Sequence, residues 1–432
     1  MTPLPFTRSL PEIPEASAAA GATDAADAAG PAGALDTSGA SGVAGLRLLA
    51  GPDAGELLAA ALEPVGGQVL SWHADHVDHQ PGRGCTAAYQ VRIAWPDGRV
   101  GQERMAARTG HRLPAGALVL DNGATRVAVW RFPYDPQLPA LPAAWDRAAL
   151  ARLLEDFGLG AGPVRLRVRA YRPGRRAVIE ACGTQGRLFV KVVRPSRVEA
   201  LHQRHRVLND AGVPVPPSLG YTPEGLLVLQ ALPGRTLRQA LRDGSSPPPS
   251  AQAVLALLDR LPPQLAQGPP RPSWCAKAPH YAAVLGAALP ERADQVTELA
   301  DRLATTSTGP VTAVHGDLYE NQLLVSGGHI RGLLDVDTAG PGERLDDLAC
   351  LLGHLSVLAQ IDRSRAADVN RLGSAYLAVF ERHVDPAELR RRTAAVVLSL
   401  ATGPHRVQEP GWPTATGARL DLAARWLDGA AP

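Results

Sequence analysis

Near Leu232 the sequence changes from one kind of pattern to another, and that change constrains the fold more than any other feature. Before it, apolar residues come in short runs broken by turn signals. Cys85–Trp95 and Val100–Ala107 flank Pro96-Asp97-Gly98, and Thr125–Phe132 follows Asp121-Asn122-Gly123. Val164–Tyr171, Ala177–Cys182 and Leu188–Val193 are separated by Pro173-Gly174-Arg175 and by residues 183–186, and Leu226–Leu232 is a further apolar run. Runs of this length between tight turns predict antiparallel strands. Helical spacing occurs in this portion only at 55–63, 146–157 and 196–210. After Leu232 the spacing turns mostly helical, over 236–243, 251–265, 279–288, 290–306, 345–358, 365–382, 386–402 and 416–428. Short strands are expected between these helices at 311–315, 322–325 and 330–336. Sheets first and helices afterwards predict an α+β protein.

The same reading sets the domain boundaries. Residues 1–44 are Ala, Gly, Ser, Pro and Asp with little aliphatic periodicity, a composition that cannot offset its ordering entropy, so a disordered tail is expected. A sheet-rich cap follows over 45–145, then a small antiparallel-sheet lobe over 146–232, then a helical lobe over 233–432. Lys and Arg together number 44 against 42 acidic residues, and a net charge of +2 argues against a nucleic-acid partner. No apolar run reaches the ~18 residues of a membrane span, and no basic-then-apolar leader opens the chain. The expectation is a cytoplasmic protein with no membrane partner. Cys85, Cys182, Cys275 and Cys350 lie far apart and read as scattered buried thiols rather than metal ligands.

Arginine outnumbers lysine 42 to 2, and the lysines are Lys191 and Lys277. Where Arg supplies generic positive charge, a retained lysine points to a task that Arg cannot do. Lys191 stands in Phe189-Val190-Lys191-Val192-Val193, and a lysine in an apolar strand is costly unless it meets an anion. A nucleotide phosphate is such an anion, and Glu199 on the next helix could orient the lysine. The strongest local signal is His315-Gly316-Asp317-Leu318-Tyr319-Glu320-Asn321-Gln322, followed by Leu333-Leu334-Asp335-Val336-Asp337. A carboxylate in a loop after a strand, a carboxamide five positions on and a carboxylate ending the next strand suit phosphoryl transfer. One carboxylate orients a hydroxyl, while the carboxamide and the second carboxylate hold Mg²⁺ against phosphates.

With these motifs in order, residues 163–430 resemble the aminoglycoside phosphotransferase and choline-kinase-like family. The resemblance rests on Lys191, on Leu227–Leu237 with its Pro233-Gly234-Arg235, on His315-Gly316-Asp317, on Asp335 and on Asp347-Leu348-Ala349. It implies a two-lobed protein-kinase-like fold and a Mg·ATP-dependent transfer of the γ-phosphoryl group to a hydroxyl of a sugar, aminoglycoside-like compound or amino alcohol. By resemblance Asp317 is the catalytic aspartate, and Asp335 and Gln322 are the Mg²⁺ ligands. Lys191 would contact the α- and β-phosphates with Glu199 as its partner. Gly174 and Arg175 would lie in the loop over the phosphates, and Gln230 and Leu232 on the hinge that meets adenine. Gln322 stands where the family more often has Asn; some maltokinase-like members, which also carry an N-terminal cap, have Gln there. That resemblance is partial, because Val336-Asp337-Thr338-Ala339 is unlike their metal loop.

His315 and Asp347 are expected to hold the loop rather than to react. Asp337 reads equally as a metal ligand or a solvated charge. His354, His405, Arg406, Trp412 and Trp426 are expected to be core or groove-lining residues. Two other readings stay open at this point: a pseudokinase that binds nucleotide without turnover, and a metal hydrolase built on His315, Asp317, Asp335, Asp337 and His354.

Overall fold

The structure is a computed structural model that describes residues 39–123, 125–160, 162–183, 186–304 and 309–429. The chain divides into two compact units. The first takes the described residues up to Pro195, with Glu224–Leu226. Its elements are α1 (Gly39–Ala50), α2 (Ala54–Leu62), β1 (Gln68–Gln80), β2 (Gly84–Ala94), β3 (Val100–Arg108), β4 (Leu118–Asp121), β5 (Arg126–Arg131), α3 (Leu141–Trp145), α4 (Arg147–Asp156), β6 (Arg165–Arg172), β7 (Arg176–Gly183) and β8 (Gly186–Val193). β1 to β5 form an antiparallel sheet in the order β1-β2-β3-β5-β4, and β6, β7 and β8 run as an antiparallel meander.

Alternation builds the first sheet. Cys85, Ala87, Tyr89, Val91 and Ile93 of β2 are all buried on one face. Leu46 and Leu49 of α1 and Leu58 and Leu62 of α2 are buried as well, and the Tyr89 hydroxyl donates to Leu49 O at 2.7 Å. α4 starts where Asp146, the first residue of the expected helix 146–157, accepts hydrogen bonds from the Ala148 and Ala149 amides at 2.9 and 2.8 Å and so caps it.

Two features of this unit depart from the sequence reading. Helix α1 begins at Gly39, inside the expected 1–44 tail; residues 1–38 of that expectation lie outside the described residues. The thirteen-residue strand β1 was not anticipated. It is an edge strand, mostly exposed or partly buried, and His73, Asp75, His76, Asp78 and His79 leave it little apolar alternation to read.

The second unit holds the described residues of 196–223 and those from Leu227 on. Its elements are α5 (Pro195–Asp210), β9 (Ser218–Tyr221), β10 (Leu226–Gln230), β11 (Arg235–Thr236), α6 (Leu237–Asp243), α7 (Ala251–Asp259), α8 (Ala278–Ala288), α9 (Ala293–Ala304), β12 (Val311–Val314), β13 (Leu323–Ser326), β14 (His329–Leu333), β15 (Gly340–Glu343), α10 (Arg344–Ile361), α11 (Ala366–Phe380), α12 (Pro386–Ala401), α13 (Gly403–Arg406) and α14 (Trp412–Leu427). The expected helix 251–265 stops at Asp259, and Pro262-Pro263 explains why it cannot continue. α10 is buried on every side from Asp347 to Ala359 and is the central helix of the unit. Two small antiparallel pairs, β12 with β15 and β13 with β14, carry the residues singled out above. The observed order is the expected α+β one.

Candidate active site

The loop after β12 is fixed by partners from other parts of the second unit. Asp347, in the first turn of α10, accepts the His315 amide on one carboxylate oxygen and the Gly316 amide on the other, both at 2.7 Å. Burial raises its pKa even though the two amides and His315 oppose the shift. The His315 ring is used up in the loop: Nε2 lies 2.8 Å from Leu334 O, and Nδ1 lies 3.3 Å from the Asp317 amide. That pairing fits one tautomer, with the proton on Nε2. The Thr338 hydroxyl donates to His315 O at 2.8 Å. His315 and Asp347 therefore hold the loop, as the sequence reading expected, and His315, one of the two histidines of the hydrolase reading, has both ring nitrogens engaged.

Gly316 has φ +81°, and a Cβ there would lie 2.8 Å from Thr338 O and 3.0 Å from Arg271 Cζ, so only glycine fits. The Arg271 guanidinium donates to Thr338 O beside it. Asp317, 5% exposed, follows at once. The Cys350 thiol donates to Asp317 Oδ1 at 3.8 Å, and burial holds that thiol well above its usual pKa, ahead of the Asp317 charge. Ligand-type atoms of Asp317, Cys350 and His354 lie within 4.8 Å of one another. His354 stacks on Tyr319 at 4.3 Å, and burial lowers its pKa to about 3. A protonated thiol and a neutral imidazole make this group a wall beside Asp317.

The β13–β14 hairpin brings the two expected metal ligands to one end. Leu323 pairs with Leu333, and the next amide, Leu334 N–H, donates to Gln322 O at 2.8 Å. Asp335 comes one residue later, at φ 52° and ψ 54°, a left-handed conformation that non-glycine residues seldom adopt. Such conformations concentrate at functional sites. The Gln322 side chain is buried, yet among the described residues its carboxamide has no hydrogen-bond partner. An open carboxamide oxygen and a carboxylate, brought to one end of the hairpin, are hard-oxygen donors of the kind Mg²⁺ takes. Asp337 O accepts from Arg204 Nη1 at 2.9 Å, which ties α5 to the same loop.

The other expected site residues are spread over both units. Gly174 and Arg175 form the β6–β7 turn, and Lys191 of β8 is 5% exposed and pairs in register with Val178. The turn is held from the cap. Asp135 Oδ2 accepts the Gly174 amide at 2.7 Å and the Tyr171 hydroxyl at 2.9 Å. Arg194 Nε donates to Gly174 O at 2.8 Å, and Arg175 meets Asp78 of β1 at 3.7 Å. Glu199 lies exposed on α5. The Gln230 amide donates to Pro217 O at 2.9 Å, and Leu232 Cδ1 lies within contact of Gly332.

The model of a phosphotransferase enzyme family matches residues 168–391, just over half of the chain. The chain belongs to that family. This phosphotransferase has no match by sequence among curated proteins. Several solved structures are similar. One is a putative aminoglycoside phosphotransferase from Ralstonia eutropha JMP134, at 12% identity, TM-score 0.44, covering 66% of this chain and 98% of that one. Another is a macrolide 2'-phosphotransferase from Brachybacterium faecium, at 19% identity, TM-score 0.38, covering 64% and 98%. A third is a choline kinase from Cryptosporidium parvum Iowa II, at 10% identity, TM-score 0.45, covering 66% and 96%. An antiparallel meander precedes a mostly helical unit along the chain, the order of elements that the sequence led one to expect.

Two groups in the phosphotransferase escaped the motif reading. Asp135 precedes the matched segment and carries no pattern of its own. Arg271 reaches Gly316 from 45 positions upstream, and only the lysine count had marked its neighbour Lys277.

Proposed function

We propose that this phosphotransferase is a Mg·ATP-dependent small-molecule kinase that moves the γ-phosphoryl group to a hydroxyl of a sugar, an aminoglycoside-like compound or an amino alcohol. The observation that carries this reading is the pinned loop. Asp317 follows two amides that Asp347 fixes, and Asp335 stands in a strained conformation at the end of the adjoining hairpin. Phosphoryl transfer is catalysed mainly by positioning and electrostatics, so a rigid carboxylate is what the reaction asks for. In this reading Asp317 orients the acceptor hydroxyl and takes its proton as the new P–O bond forms. Asp335 and Gln322 would hold Mg²⁺, which neutralises phosphate charge when bound. Lys191 would meet the α- and β-phosphates, with Glu199 near it, while Gly174 and Arg175 cover them and Gln230 and Leu232 border the adenine.

In this reading the reaction runs in the cytoplasm, where Mg·ATP is available. Four free cysteines suit a reducing compartment, and no helix among the described residues is long and apolar enough to cross a membrane. Lys191→Met tests the nucleotide assignment. It should keep the melting temperature of the ligand-free protein, lose the melting shift produced by Mg·ATP, and lose ADP release with an acceptor. Unchanged ADP release would remove Lys191 from the site. Retained nucleotide binding by the parent protein without turnover on any hydroxyl acceptor would favour the pseudokinase reading.

A further inference from the structure

The proposed reaction uses Asp317 and leaves the two side chains beside it, Cys350 and His354, without a task. Both belong to α10 and stand four residues apart, so one turn of helix brings them to the same face. The same spacing puts paired ligands on one ion in helical zinc sites. Cys350 Sγ lies 3.8 Å from Asp317 Oδ1. A carboxylate oxygen of Asp317, the Cys350 sulfur and a ring nitrogen of His354 lie within 4.8 Å of one another, and no other such group of His, Cys, Asp or Glu occurs among the described residues. Ligands around a tetrahedral zinc, with bonds of about 2.0–2.3 Å, sit roughly 3.2–3.7 Å apart. The three side chains therefore need to close by about 1–1.5 Å at most to meet one ion.

A second observation points to a ligand. His354 is 7% exposed, and its Nε2 is buried without a hydrogen-bond partner. Nδ1 lies 3.9 Å from Glu320 Oε2, beyond hydrogen-bond reach, and that oxygen is also buried without a hydrogen-bond partner. Buried polar atoms left open in this way are costly. An ion accounts for both. Bound to Nε2, it leaves the Nδ1 N–H to turn towards Glu320, the arrangement in which a carboxylate holds a metal-bound histidine. Without an ion the Cys350 thiol stays protonated, because burial and then the Asp317 charge hold its pKa well above the usual value. A coordinated divalent cation reverses that balance and deprotonates the thiol.

We propose that Asp317, Cys350 and His354 form a site for a divalent transition-metal ion of the Zn²⁺ type, and that the ion switches the phosphotransferase off by taking the Asp317 carboxylate. The metal–sulfur bond forms as the thiol proton passes to water, and no redox change is involved. Sulfur and imidazole donors select zinc over Mg²⁺, which the proposed oxygen donors Gln322 and Asp335 suit. Inhibition rests on the kinase reading, whereas binding does not.

The test begins with the metal-free full chain and no nucleotide. Zn²⁺ is titrated in competition with a chromophoric chelator, and Co²⁺ serves as a spectroscopic stand-in. One equivalent of either should bind, and the cobalt form should show a thiolate-to-metal charge-transfer band. Cys350→Ala should abolish that band with Cys85, Cys182 and Cys275 still present. Where melting shows that Cys350→Ala does not fold, Cys350→Ser takes its place. His354→Phe, which keeps an aromatic ring against Tyr319, should weaken Zn²⁺ binding by at least about tenfold, the lower end of what even outer-shell changes cost a metal site. In ADP release with Mg·ATP and an accepted hydroxyl compound, Zn²⁺ should inhibit the parent protein. A zinc-selective chelator should restore the rate, and excess Mg²⁺ should not. Cys350→Ala, compared with its own zinc-free rate, should need roughly tenfold more Zn²⁺ for half inhibition. The proposal is overturned if no ion binds, if cobalt shows no thiolate band, or if the band survives in Cys350→Ala, since another cysteine then holds the metal. It is also overturned if bound zinc does not slow turnover, if excess Mg²⁺ relieves the inhibition, or if the variant is inhibited equally. Failure of the kinase reading itself looks different: Mg·ATP produces no melting shift and no acceptor supports ADP release, while the cobalt spectrum still decides the metal site.

Discussion

Asp335 and Gln322 are the residues on which the proposed Mg²⁺ site rests. Backbone strain is tolerated at Asp335, and among the described residues the Gln322 carboxamide has no hydrogen-bond partner. Gln322→Ala should raise the Mg²⁺ concentration for half-maximal ADP release, Gln322→Asn should be intermediate, and Asn321→Ala should have the smallest effect. A magnesium titration of the three variants checks this, and a dominant effect at Asn321 would shift the ligand by one position. Lys277 makes a separate prediction about stability. Its pKa is about 8 in the fold against 10.5 for an ordinary lysine, so the unfolded chain binds more protons between those values. The lysine therefore weakens the fold fully below pH 8, and the penalty fades as pH rises towards 10.5. Lys277→Met should melt above the parent protein at pH 7, with the gap closing by pH 10; a variant that melts lower at pH 7 contradicts the account. Asp317 and Asp335 were legible in the sequence because their motif is local. The surroundings of Lys277 were not, because Arg271, Asp317 and Asp346 act on it from separate segments.

Among the elements, α10 carries the most consequence. Its first turn supplies the carboxylate that fixes the loop before Asp317, and its buried length anchors that turn in the core. Asp347→Ala would leave two amides without their acceptor, at about 1.5–3 kcal/mol for each bond to a charged group. A large fall in melting temperature and near-complete loss of ADP release are expected. Asp347→Asn should fall between, because a carboxamide offers one oxygen where two are used. Equal activity in Asp347→Ala would mean that the loop does not need this anchor. Most helices and turn-bounded strands could be read from periodicity, as α4 with its Asp146 cap and β2 with its alternating face illustrate. Strand β1 could not, because an edge strand buries too little to impose a hydrophobic pattern. Helix α1 was hidden by its Gly-Ala-Ser start, and only the pairing of Tyr89 with Leu49 O reveals what holds its end.

At the scale of the whole molecule, each unit fixes its own part of the proposed site: the cap holds the Gly174 turn in the first, and Asp347 holds the loop before Asp317 in the second. The cap's Asp135 holds the Gly174 amide within the first unit, and the loop 315–322 is assembled wholly within the second. The motif order in the sequence disclosed the family and its chemistry, whereas the bond from Asp135 could not be read because it spans 39 positions with no local pattern. The central claim is that Asp317 is the catalytic carboxylate of a phosphoryl transfer. It is tested most directly by ADP release with Mg·ATP and an accepted hydroxyl compound, comparing the parent protein with Asp317→Ala. The account predicts a fall in kcat of about 10²–10⁴-fold, the usual worth of a positioned general base, with the melting shift by Mg·ATP retained. An Asp317→Ala variant that binds nucleotide and turns over at the parent rate would contradict it.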